Sequence, residues 1–490
     1  MLLGYDLGSS SIKATLINSQ TGEVMASATY PKQEMEMISK KQGWAEQKPE
    51  TWWNNIKSAT KELMSSTRTP KDRIRAIGIS YQMHGLVLVD KEQQVLRPAI
   101  IWCDSRAVAI GKKAFHDLSG EYCLGHYLNS PGNFTASKLK WVKDNEPELY
   151  EKIYKAMLPG DYIAMKMTGQ INTTVSGLSE GIFWDFKSKT VADKLLKYYG
   201  IEQDLLPEIV DTFSVHGQLT AAAANELGLE PGTRVAYRAG DQPNNAFSLN
   251  VLNAGEVAAT AGTSGVVYGI IEKPEFDPLS RVNTFVHVNN TKNANRYGVL
   301  LCVNGTGILN SWMQKNIMDG LSYKEMNEIA MQAPIGADNL SFIPFGNGAE
   351  RIMENNDIGA SLLGLNFNRH NQSHILRAGQ EGIVFALNYG FTIMKEMGME
   401  LKTIRAGHAN MFLSPLFAEA FANITCATVE LYNTDGAQGA ARGAGIGAGV
   451  YGSFADAFTG LKSIKTIEPS PPLFGAYEDA YGRWLKNLNV

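Results

Sequence analysis

The fold is decided by the stretch Leu2-Leu-Gly-Tyr-Asp-Leu-Gly-Ser-Ser-Ser-Ile-Lys-Ala-Thr-Leu-Ile17. Within it, two β-rich segments, Leu2–Leu7 and Ile12–Ile17, flank a turn of small residues. A third β-rich segment, Val24–Tyr30, follows a Thr-Gly turn signal. Three strands joined by short turns predict a meander of hairpins rather than a βαβ beginning.

A helix and further strands are predicted downstream of this meander. The helix begins at Pro49, and its apolar face is formed by Trp52, Ile56, Ala59 and Leu63. Segment 75–80 is typical of a buried strand, 86–89 of its hairpin partner and 99–102 of another strand. This order of strands and helix indicates a mixed α/β fold.

The signature of the first hairpin returns in the middle of the chain. Strand-like Glu256–Ala261 leads into the turn Gly262-Thr-Ser-Gly265, and 266–271 is strand-like again. Two such units predict two related halves, with domains at 1–246 and 247–490 and the default ligand site in the cleft between them. The alternative is that two small-residue hairpins arose independently.

Composition places the chain among globular proteins and excludes several classes. Its 490 residues are 44% hydrophobic and 19% charged, with a net charge of −4, so nucleic acid is not expected as a partner. The N-terminal sequence has no basic region, and the apolar runs are too short for a membrane span, which predicts a cytoplasmic location without membrane contact. Scattered cysteines predict reduced thiols and no zinc site: Cys103, Cys123, Cys302 and Cys426.

The two hairpin turns carry groups that bind phosphate. Gly8-Ser-Ser-Ser11 offers a tight backbone with exposed N–H groups and hydroxyls, and Lys13 adds a positive charge. Asp6, just before the turn, is suited to hold a magnesium ion through water. Gly262-Thr-Ser-Gly265 offers similar donors. For each turn the alternative is an ordinary β-turn, and the first lacks the spacing of a Walker A loop.

Polar residues at two predicted strand ends are candidates for a ligand pocket. Gln82 and His84 share one side of the chain at strand spacing, and Gly85 permits the sharp turn that presents them. Trp102 offers a flat wall, and Asp104 offers hydrogen bonds to hydroxyl groups. The alternatives are a core histidine in the first case, and a buried Trp beside an Asp–Arg ion pair in the second.

Three later segments suggest separate roles. Asp241 follows a glycine at a bend where the halves meet and is suited to accept a hydroxyl proton in a kinase; an Asx-type turn is the alternative. Asn410 ends a Gly/Ala turn that would accept a purine edge, and the alternative is a plain loop to a helix near Pro415. The Gly/Ala-rich stretch 436–447 predicts a closely packed helix.

Together the motifs resemble the FGGY carbohydrate kinases. In the order and spacing of that family, and over nearly the whole chain, they are Asp6-Leu-Gly-Ser-Ser-Ser-Ile-Lys13, Gln82-Met-His-Gly85, Trp102-Cys-Asp-Ser-Arg106, Gly240-Asp-Gln242 and Gly262-Thr-Ser-Gly265. Within the family, Gln-Met-His-Gly with a later Gly-Asp is most similar to the xylulokinases. The resemblance implies an α/β fold of two actin-like (ribonuclease H-like) domains, with a mixed sheet in each and a ligand cleft between them.

The resemblance also implies a reaction and a set of site residues. ATP with Mg²⁺ would phosphorylate a ketopentose, D-xylulose to D-xylulose 5-phosphate, with Asp241 as general base and Asp6 and Asp241 near the metal. The implied sugar contacts are Gln82, Met83, His84, Gly85, Trp102, Asp104 and Gln242. The implied ATP contacts are Gly8, Ser9, Ser10, Ser11, Lys13, Gly262, Thr263, Ser264, Gly407 and Asn410. A homodimer is a family-level expectation.

Some residues depart from the xylulokinase pattern. Gln242-Pro-Asn-Asn245 stands where small residues are usual, and the glycines of the adenine loop are reduced to Arg405-Ala-Gly407. Both regions also resemble glycerol kinases, but that family has a different string where this chain has Gln82-Met-His-Gly85, so glycerol is a poor alternative acceptor. Ribulose, fuculose and L-xylulose are further alternatives, because their discrimination from D-xylulose depends on the exact placement of hydroxyl groups. An actin-like or chaperone-like ATPase that switches conformation is an alternative of another class, because the phosphate turns fit it equally well. The polar strand ends at Gln82 and Trp102 have no role in such an ATPase.

Overall fold

The computed structural model describes residues 1–488, which divide into two compact units. Unit 1 comprises Met1–Asn250, Phe285–Arg296 and Thr434–Leu461. Unit 2 comprises Val251–Thr284, Tyr297–Asn433 and the described residues from 462 onwards. Each unit contains its own mixed sheet, which confirms the predicted α/β class. The predicted division at 246 and 247 into two related halves stays a prediction.

Strands were predicted most accurately where a hairpin turn bounds them. β1, β2, β3 and β15 have the predicted bounds, and β5 begins and ends one residue later than predicted. The strands are β1 (Leu2–Leu7), β2 (Ile12–Ile17), β3 (Val24–Tyr30), β4 (Glu46–Gln47), β5 (Ala76–Tyr81), β6 (Val87–Val89), β7 (Ala99–Ile100), β8 (Lys155–Met157), β9 (Asn172–Thr174), β10 (Trp184–Asp185), β11 (Thr190–Val191), β12 (Glu208–Val210), β13 (Gly217–Gln218), β14 (Arg234–Gly240), β15 (Glu256–Ala261), β16 (Gly265–Ile271), β17 (Asn283–Val286), β18 (Tyr297–Val303), β19 (Ser341–Phe345), β20 (Gly359–Leu363), β21 (Thr403–Gly407), β22 (Thr428–Tyr432) and β23 (Ser463–Ile467).

The predicted helices are present, and two of them begin at a residue type that is typical of helix starts. Pro49 begins α1, and Ser414 caps α14 by accepting the N–H of Phe417. The helices are α1 (Pro49–Thr67), α2 (Val108–Asp117), α3 (Gly120–Tyr127), α4 (Thr135–Asn145), α5 (Pro147–Tyr150), α6 (Pro159–Thr168), α7 (Val175–Glu180), α8 (Asp193–Tyr199), α9 (Ala221–Leu227), α10 (Asp241–Ser248), α11 (Gly307–Asn316), α12 (Tyr323–Ala330), α13 (Gln372–Glu396), α14 (Pro415–Thr425), α15 (Gly436–Gly447), α16 (Phe454–Ala457) and α17 (Pro471–Leu488). Within residues 1–488, no helix is both long and apolar enough to cross a membrane.

The sheet of unit 1 runs in the order β13-β14-β5-β1-β2-β3. β1, β5 and β14 are parallel, and the β1-β2-β3 meander continues antiparallel from them, as predicted. Successive residues of β1 face opposite sides. The Tyr5 hydroxyl is 2.6 Å from that of Thr60 in α1, whereas Gly4 faces α15. α1 and α15 therefore cover opposite faces of the sheet.

The Gly/Ala helix α15 lies unusually close to the sheet of unit 1. A Cβ atom on Gly4 would stand 1.8 Å from the carbonyl oxygen of Ala437, and one on Gly78 would stand 1.9 Å from that of Ala440. Glycine in both strands is what lets the helix backbone approach this closely. The prediction that 436–447 packs tightly is confirmed.

One predicted strand pairing is wrong. Segment 86–89 was expected to form a hairpin with 75–80, but β6 pairs with β8, and β5 pairs with β1 and β14. The predicted strand 99–102 is limited to β7, which pairs with β4. Periodicity identifies a buried strand but carries no information about its neighbour, so strands from distant parts of the chain were missed as partners.

The sheet of unit 2 runs in the order β17-β18-β16-β15-β21-β22-β23. β15, β21 and β22 are parallel, and β15 and β16 form the predicted hairpin. The long helix α13 is buried along most of its length and packs on α14 and on β19. Unit 2 thus repeats the strand-turn-strand feature of unit 1 beside three parallel strands.

A buried ionic cluster stabilises unit 1 beside β7. The Arg106 side chain is 1% exposed, with Nη2 2.6 Å from Asp104 Oδ2 and Nη1 2.7 Å from Glu46 Oε1. Its guanidinium carbon lies 3.9 Å from the centre of the Trp44 ring. The main-chain N–H of Ala45 donates to Asp104 Oδ2 at 2.6 Å. Charges this deeply buried depend on one another, because none has water as an alternative partner.

A second buried network surrounds His216 in unit 1. Arg238 donates to Asp161 Oδ1 and to Asn172 Oδ1, each at 2.7 Å, and its Nη1 is 3.1 Å from His216 Nδ1. The other ring nitrogen of His216 faces the carbonyl oxygen of Asp211 at 3.0 Å. Burial, together with the charge of Arg238, lowers the pKa of His216 to about 3, so the ring is neutral in the folded protein.

We expect this histidine to make the protein less stable in mild acid. Unfolding returns the pKa of His216 to about 6.5, so below that pH the unfolded chain binds a proton that the folded chain does not. The contribution of His216 to the free energy of unfolding is therefore fully present above pH 6.5. It falls towards pH 3, by at most about 1.4 kcal/mol per pH unit. Urea unfolding at pH 7.5 and 5.5 measures the loss.

The matched variants are His216→Gln and His116→Gln. The ring of His116 is exposed. His216→Gln is expected to reduce the loss between the two pH values by about 1 kcal/mol, whatever its stability at pH 7.5. His116→Gln is expected to behave as the wild type. An equal acid sensitivity in all three proteins would contradict the prediction.

Candidate active site

Three parallel strands of unit 1 bring the predicted catalytic residues to one edge of the sheet. In the β1–β5 pair, Asp6 is opposite Ser80, and in the β14–β5 pair, Gly240 is opposite Tyr81. Asp241 follows directly as the first residue of α10. Asp6, the turn after Tyr81 and Asp241 therefore meet at the carboxyl ends of β1, β5 and β14, where α/β proteins commonly bind ligands.

Both carboxyl groups at this edge have a raised pKa. Desolvation raises the pKa of Asp241 to about 7, and the charge of Asp6 adds to the rise. Desolvation also raises the pKa of Asp6, with a contribution from Asp435, although the Ser80 hydroxyl donates to its Oδ1 at 2.7 Å and opposes the shift. Two neighbouring acids that are each costly to ionise form a natural site for a proton or a cation.

This pair of carboxylates fits Mg²⁺. Within residues 1–488, no cluster of three or more His, Cys, Asp or Glu side chains is placed to hold a metal. Mg²⁺ does not need such a cluster, because it is usually bound through one or two carboxylates, with water and substrate phosphates completing its shell. Asp6 and Asp241 supply that donor set.

The 82–85 turn adjoins the carboxylates, and its predicted sugar residues differ in exposure. Gln82 and Met83 are buried, with 2% and 4% exposure, whereas His84 is half-buried with a left-handed φ of +61°. The Nδ1 atom of His84 is 2.9 Å from the main-chain oxygen of Glu180. A Cβ on Gly85 would stand 2.6 Å from Pro159, so a larger residue would displace the turn.

Three further predicted sugar residues differ in exposure and in the contacts of their side chains: Trp102, Asp104 and Gln242. Trp102 is 52% exposed, so the alternative of a buried Trp is wrong. Asp104 is fully buried and forms the ion pair with Arg106 that was the other part of that alternative. The Gln242 side chain hydrogen-bonds Asp241 and lies half-buried beside it.

The first phosphate turn, residues 8–11, is fixed by main-chain hydrogen bonds. The N–H of Gly8 donates to the oxygen of Ser11 at 3.0 Å, and the carbonyl of Ser10 accepts the N–H of Met35 at 2.8 Å. Ser9 and Ser10 form the tip of the hairpin, and Ser10 is exposed. Lys13 forms a partly exposed ion pair with Asp435, at 2.7 Å.

Unit 2 contains a cavity of about 600 Å³ beside the second hairpin turn. Of the described residues predicted for ATP in this unit, Gly262, Thr263 and Asn410 line the cavity, and Ser264 and Gly407 do not. Its wall also includes Asn310, Ser311, Tyr323, Lys324, Asn327, Met411 and Leu413. Apolar surfaces with amide and hydroxyl groups between them suit a flat heteroaromatic base with polar edges.

Sequence reasoning missed two acidic residues of unit 1. Glu180 is 1% exposed, and a Cβ on Gly240 would stand 2.4 Å from its Oε2. Burial raises the pKa of Glu180 well above its usual range, and the charge of Asp241 adds to the rise. Nothing in the sequence signals a buried Glu. Asp435 had a signal, since an Asp before a helical stretch is a capping residue, and it accepts the N–H of Gln438.

The walls that α11 and α12 give to the cavity were also missed. α11 begins at Gly307, the last residue of Asn304-Gly-Thr-Gly307, which is a glycine-rich turn from β18 into a helix. The two turns recognised in the sequence, at 8–11 and 262–265, each lie between two strands instead. The N–H of Gly307 donates to the oxygen of Gly262 at 2.9 Å, and the N–H of Ile308 donates to that of Thr263 at 3.1 Å. These bonds fix the second hairpin turn against the start of α11.

Comparison with known proteins agrees with this architecture. The N-terminal domain of the FGGY family of carbohydrate kinases matches residues 1–248, and the C-terminal domain of that family matches 257–451. A xylulose kinase of Bacillus subtilis is 31% identical, over 100% of this chain and 98% of its own. The crystal structure of a xyloylose kinase from Brucella ovis has a TM-score of 0.89 at 27% identity, covering 99% of this chain and 98% of that one.

A further solved structure, of a kinase with a different name, has the same fold. A gluconate kinase from Lactobacillus acidophilus also has a TM-score of 0.89, at 23% identity, covering 99% of this chain and 97% of that one.

The two mixed-sheet units, with paired carboxylates at the strand ends of the first, define a kinase of the two-domain carbohydrate class. The chain belongs to the FGGY family of carbohydrate kinases, as its motifs predicted. Membership of this family implies ATP as the phosphoryl donor.

Proposed function

We propose that this carbohydrate kinase transfers the γ-phosphoryl group of ATP to D-xylulose and releases D-xylulose 5-phosphate and ADP. The observation that carries the proposal is the Gln-Met-His-Gly turn at 82–85, which adjoins Asp241 at one edge of a sheet. The relative named xylulose kinase, 31% identical over the whole chain, supports the same acceptor.

In this proposal Asp241 is the general base. It accepts the proton of the terminal hydroxyl of the sugar while that oxygen forms a bond to the γ-phosphorus, and the bond from phosphorus to the oxygen of ADP breaks. A base is most effective when its pKa lies near the working pH, and the desolvated Asp241 satisfies this condition. Because the transition state is loose and rich in charge, the protein contributes mainly by orientation and electrostatic stabilisation.

The remaining sugar residues orient the acceptor. We assign the hydroxyl contacts to the 82–85 turn and to Gln242, which also orients Asp241 through its hydrogen bond. The half-exposed Trp102 is assigned as an apolar wall of the sugar site. Asp104, whose carboxylate pairs with Arg106, is assigned to the same pocket as Trp102.

Phosphate, adenine and metal contacts complete the proposal. The turn Gly8, Ser9, Ser10 and Ser11, with Lys13, and the turn Gly262, Thr263 and Ser264 are assigned to the phosphates, and Gly407 and Asn410 to the adenine. Asp6 and Asp241 would hold Mg²⁺, which when bound neutralises charge on the phosphates. We further propose a cytoplasmic homodimer without nucleic-acid partners, and domains of 1–246 and 247–490.

The test is ADP release from Mg-ATP with a panel of D-xylulose, L-xylulose, ribulose, fuculose, glycerol and gluconate. D-Xylulose is expected to give the highest kcat/KM. A higher value for another acceptor would replace the substrate while leaving the kinase chemistry in place. ATP turnover at one rate whatever is added would favour a conformational ATPase over any sugar kinase.

Nucleotide binding can be tested separately in unit 2. Asn410→Leu removes an amide from the cavity wall and is expected to weaken ATP binding about 5–150-fold, the effect of about 1–3 kcal/mol from an unpaired polar group. Calorimetry without sugar measures the Kd. Asn316→Leu makes the same change at an exposed position of α11 and is expected to leave the Kd unchanged. Equal affinities in the two variants would remove Asn410 from the adenine site.

A further inference from the structure

Lys138 is a fully buried lysine in α4 whose role none of the motifs explains. Its side chain has 0% exposure, and it forms no salt bridge within residues 1–488. Burial lowers the pKa of its amino group to about 7. A buried amine is costly compared with an apolar side chain of similar length unless its N–H groups are hydrogen-bonded, so its contacts are informative.

Those contacts are two main-chain carbonyls at the ends of different strands. Lys138 Nζ donates to the oxygen of His84 at 2.8 Å and to the oxygen of Ile101 at 3.0 Å. His84 lies in the 82–85 turn, and Ile101 directly precedes Trp102. One amino group therefore ties together the two segments that carry the proposed sugar contacts. Both bonds survive loss of the proton, because a neutral amine still has two N–H donors.

The conformation of the 82–85 turn shows why such a tie is needed. His84 has a left-handed φ of +61°, which is unfavourable for a residue with a side chain. Glu180 also holds this residue, since its carboxyl accepts a hydrogen bond from the backbone of His84 and its main-chain oxygen lies 2.9 Å from Nδ1 of the His84 ring. In α4, Thr135 Oγ1 also donates, at 3.4 Å, to the oxygen of Gly85. α4 thus anchors two consecutive carbonyls of the turn.

We propose that Lys138 is a positioning residue of the sugar site, which holds the main chain at His84 and Ile101 so that the two segments keep the spacing the acceptor requires. The inference rests on the proposed role of those segments in binding the sugar. Lys138 itself does not contact the reacting atoms. Displacement of a bound reactant by about 1 Å can cost about 10²-fold in rate, so loss of this tie is expected to act on catalysis as well as on binding.

The test compares Lys138→Met with Lys140→Met, which makes the same change at a partly exposed position of the same helix. The acceptor is whichever sugar the wild type phosphorylates best, so a different substrate would revise the proposed function without affecting this comparison. Lys138→Met is expected to reduce kcat/KM for the sugar about 10–100-fold, with a raised KM. Its Kd for ATP, measured without sugar, is expected to stay within twofold of the wild type.

Two results would overturn the proposal. One is a Lys138→Met enzyme with the sugar kinetics of Lys140→Met. The other is an equal loss of sugar and ATP affinity, which indicates a general structural role. If Lys138→Met does not fold, Lys138→Gln replaces it, since the shorter amide retains a donor and is expected to show a smaller loss of the same selective kind. Unchanged sugar kinetics in a folded Lys138→Gln enzyme would then overturn the proposal.

Discussion

Asp241→Asn is expected to lower kcat about 10²–10⁴-fold while leaving the fold and ATP binding intact. The amide cannot accept the hydroxyl proton, and general-base catalysis typically contributes a factor of this size, about 3–5 kcal/mol of the barrier. The change keeps the shape of the side chain at the first position of α10. Steady-state ADP release with saturating sugar and Mg-ATP measures the loss, and calorimetry measures the Kd for ATP.

The control for this variant is Asp193→Asn. Asp193 is also the first residue of a helix, α8, but it is largely exposed and forms an ion pair with Lys197 on the surface. Its kcat is expected to stay within twofold of the wild type. Both enzymes are assayed over a range of Mg²⁺ concentrations, and excess metal is expected not to restore Asp241→Asn. Near-wild-type turnover in Asp241→Asn, or full rescue by Mg²⁺, would remove the general-base role.

Arg106→Met is expected to destabilise the protein by about 3–5 kcal/mol. The change removes the cation that pairs with the fully buried Asp104 carboxylate, which keeps two main-chain donors, the N–H groups of Ala45 and of residue 106. It also removes a cation from the face of the Trp44 ring. Urea unfolding followed by tryptophan fluorescence measures the free energy of unfolding.

Arg369→Met provides the comparison for this prediction. Arg369 is 57% exposed and its Nη2 lies 3.7 Å from Asp338, so the pair is a weak surface contact. Its loss is expected to cost at most about 1 kcal/mol. If Arg106→Met were no less stable than Arg369→Met, the buried cluster would not hold unit 1 together as described.

The local parts of the fold were accessible from the sequence. β1, β2 and β3 were predicted because a turn of small residues between β-rich segments specifies a hairpin without distant information. The helix 436–447 was predicted for a similar reason, since its small side chains indicate close packing. The partner of 86–89 was not accessible, because pairing depends on which strands meet in space.

The candidate site was only partly predicted, because the meeting of distant segments has no local pattern in the sequence. The residues alone identified Asp6 and Asp241 as separate carboxylates, and the family resemblance implied that both lie near the metal. The parallel order of β1, β5 and β14 is what brings them to one edge of the sheet. Glu180 and Lys138 were missed because a buried charge in a helix has no local pattern in the sequence. Asp104 illustrates a residue type with two uses, since the same motif predicts a sugar contact or an ion pair; the structure contains the ion pair, and the sugar contact stays a prediction.

The return of 434–461 into unit 1 has a consequence for biosynthesis. The ribosome completes residues 1–250 before it makes any of unit 2, and α15 emerges about 10–40 s later at translation rates of about 5–20 residues per second. During that interval the sheet face around Gly4 and Gly78 lacks the helix that covers it. The unit that is translated first is therefore finished late, and a nascent chain that stalls before α15 presents this uncovered face to chaperones and proteases.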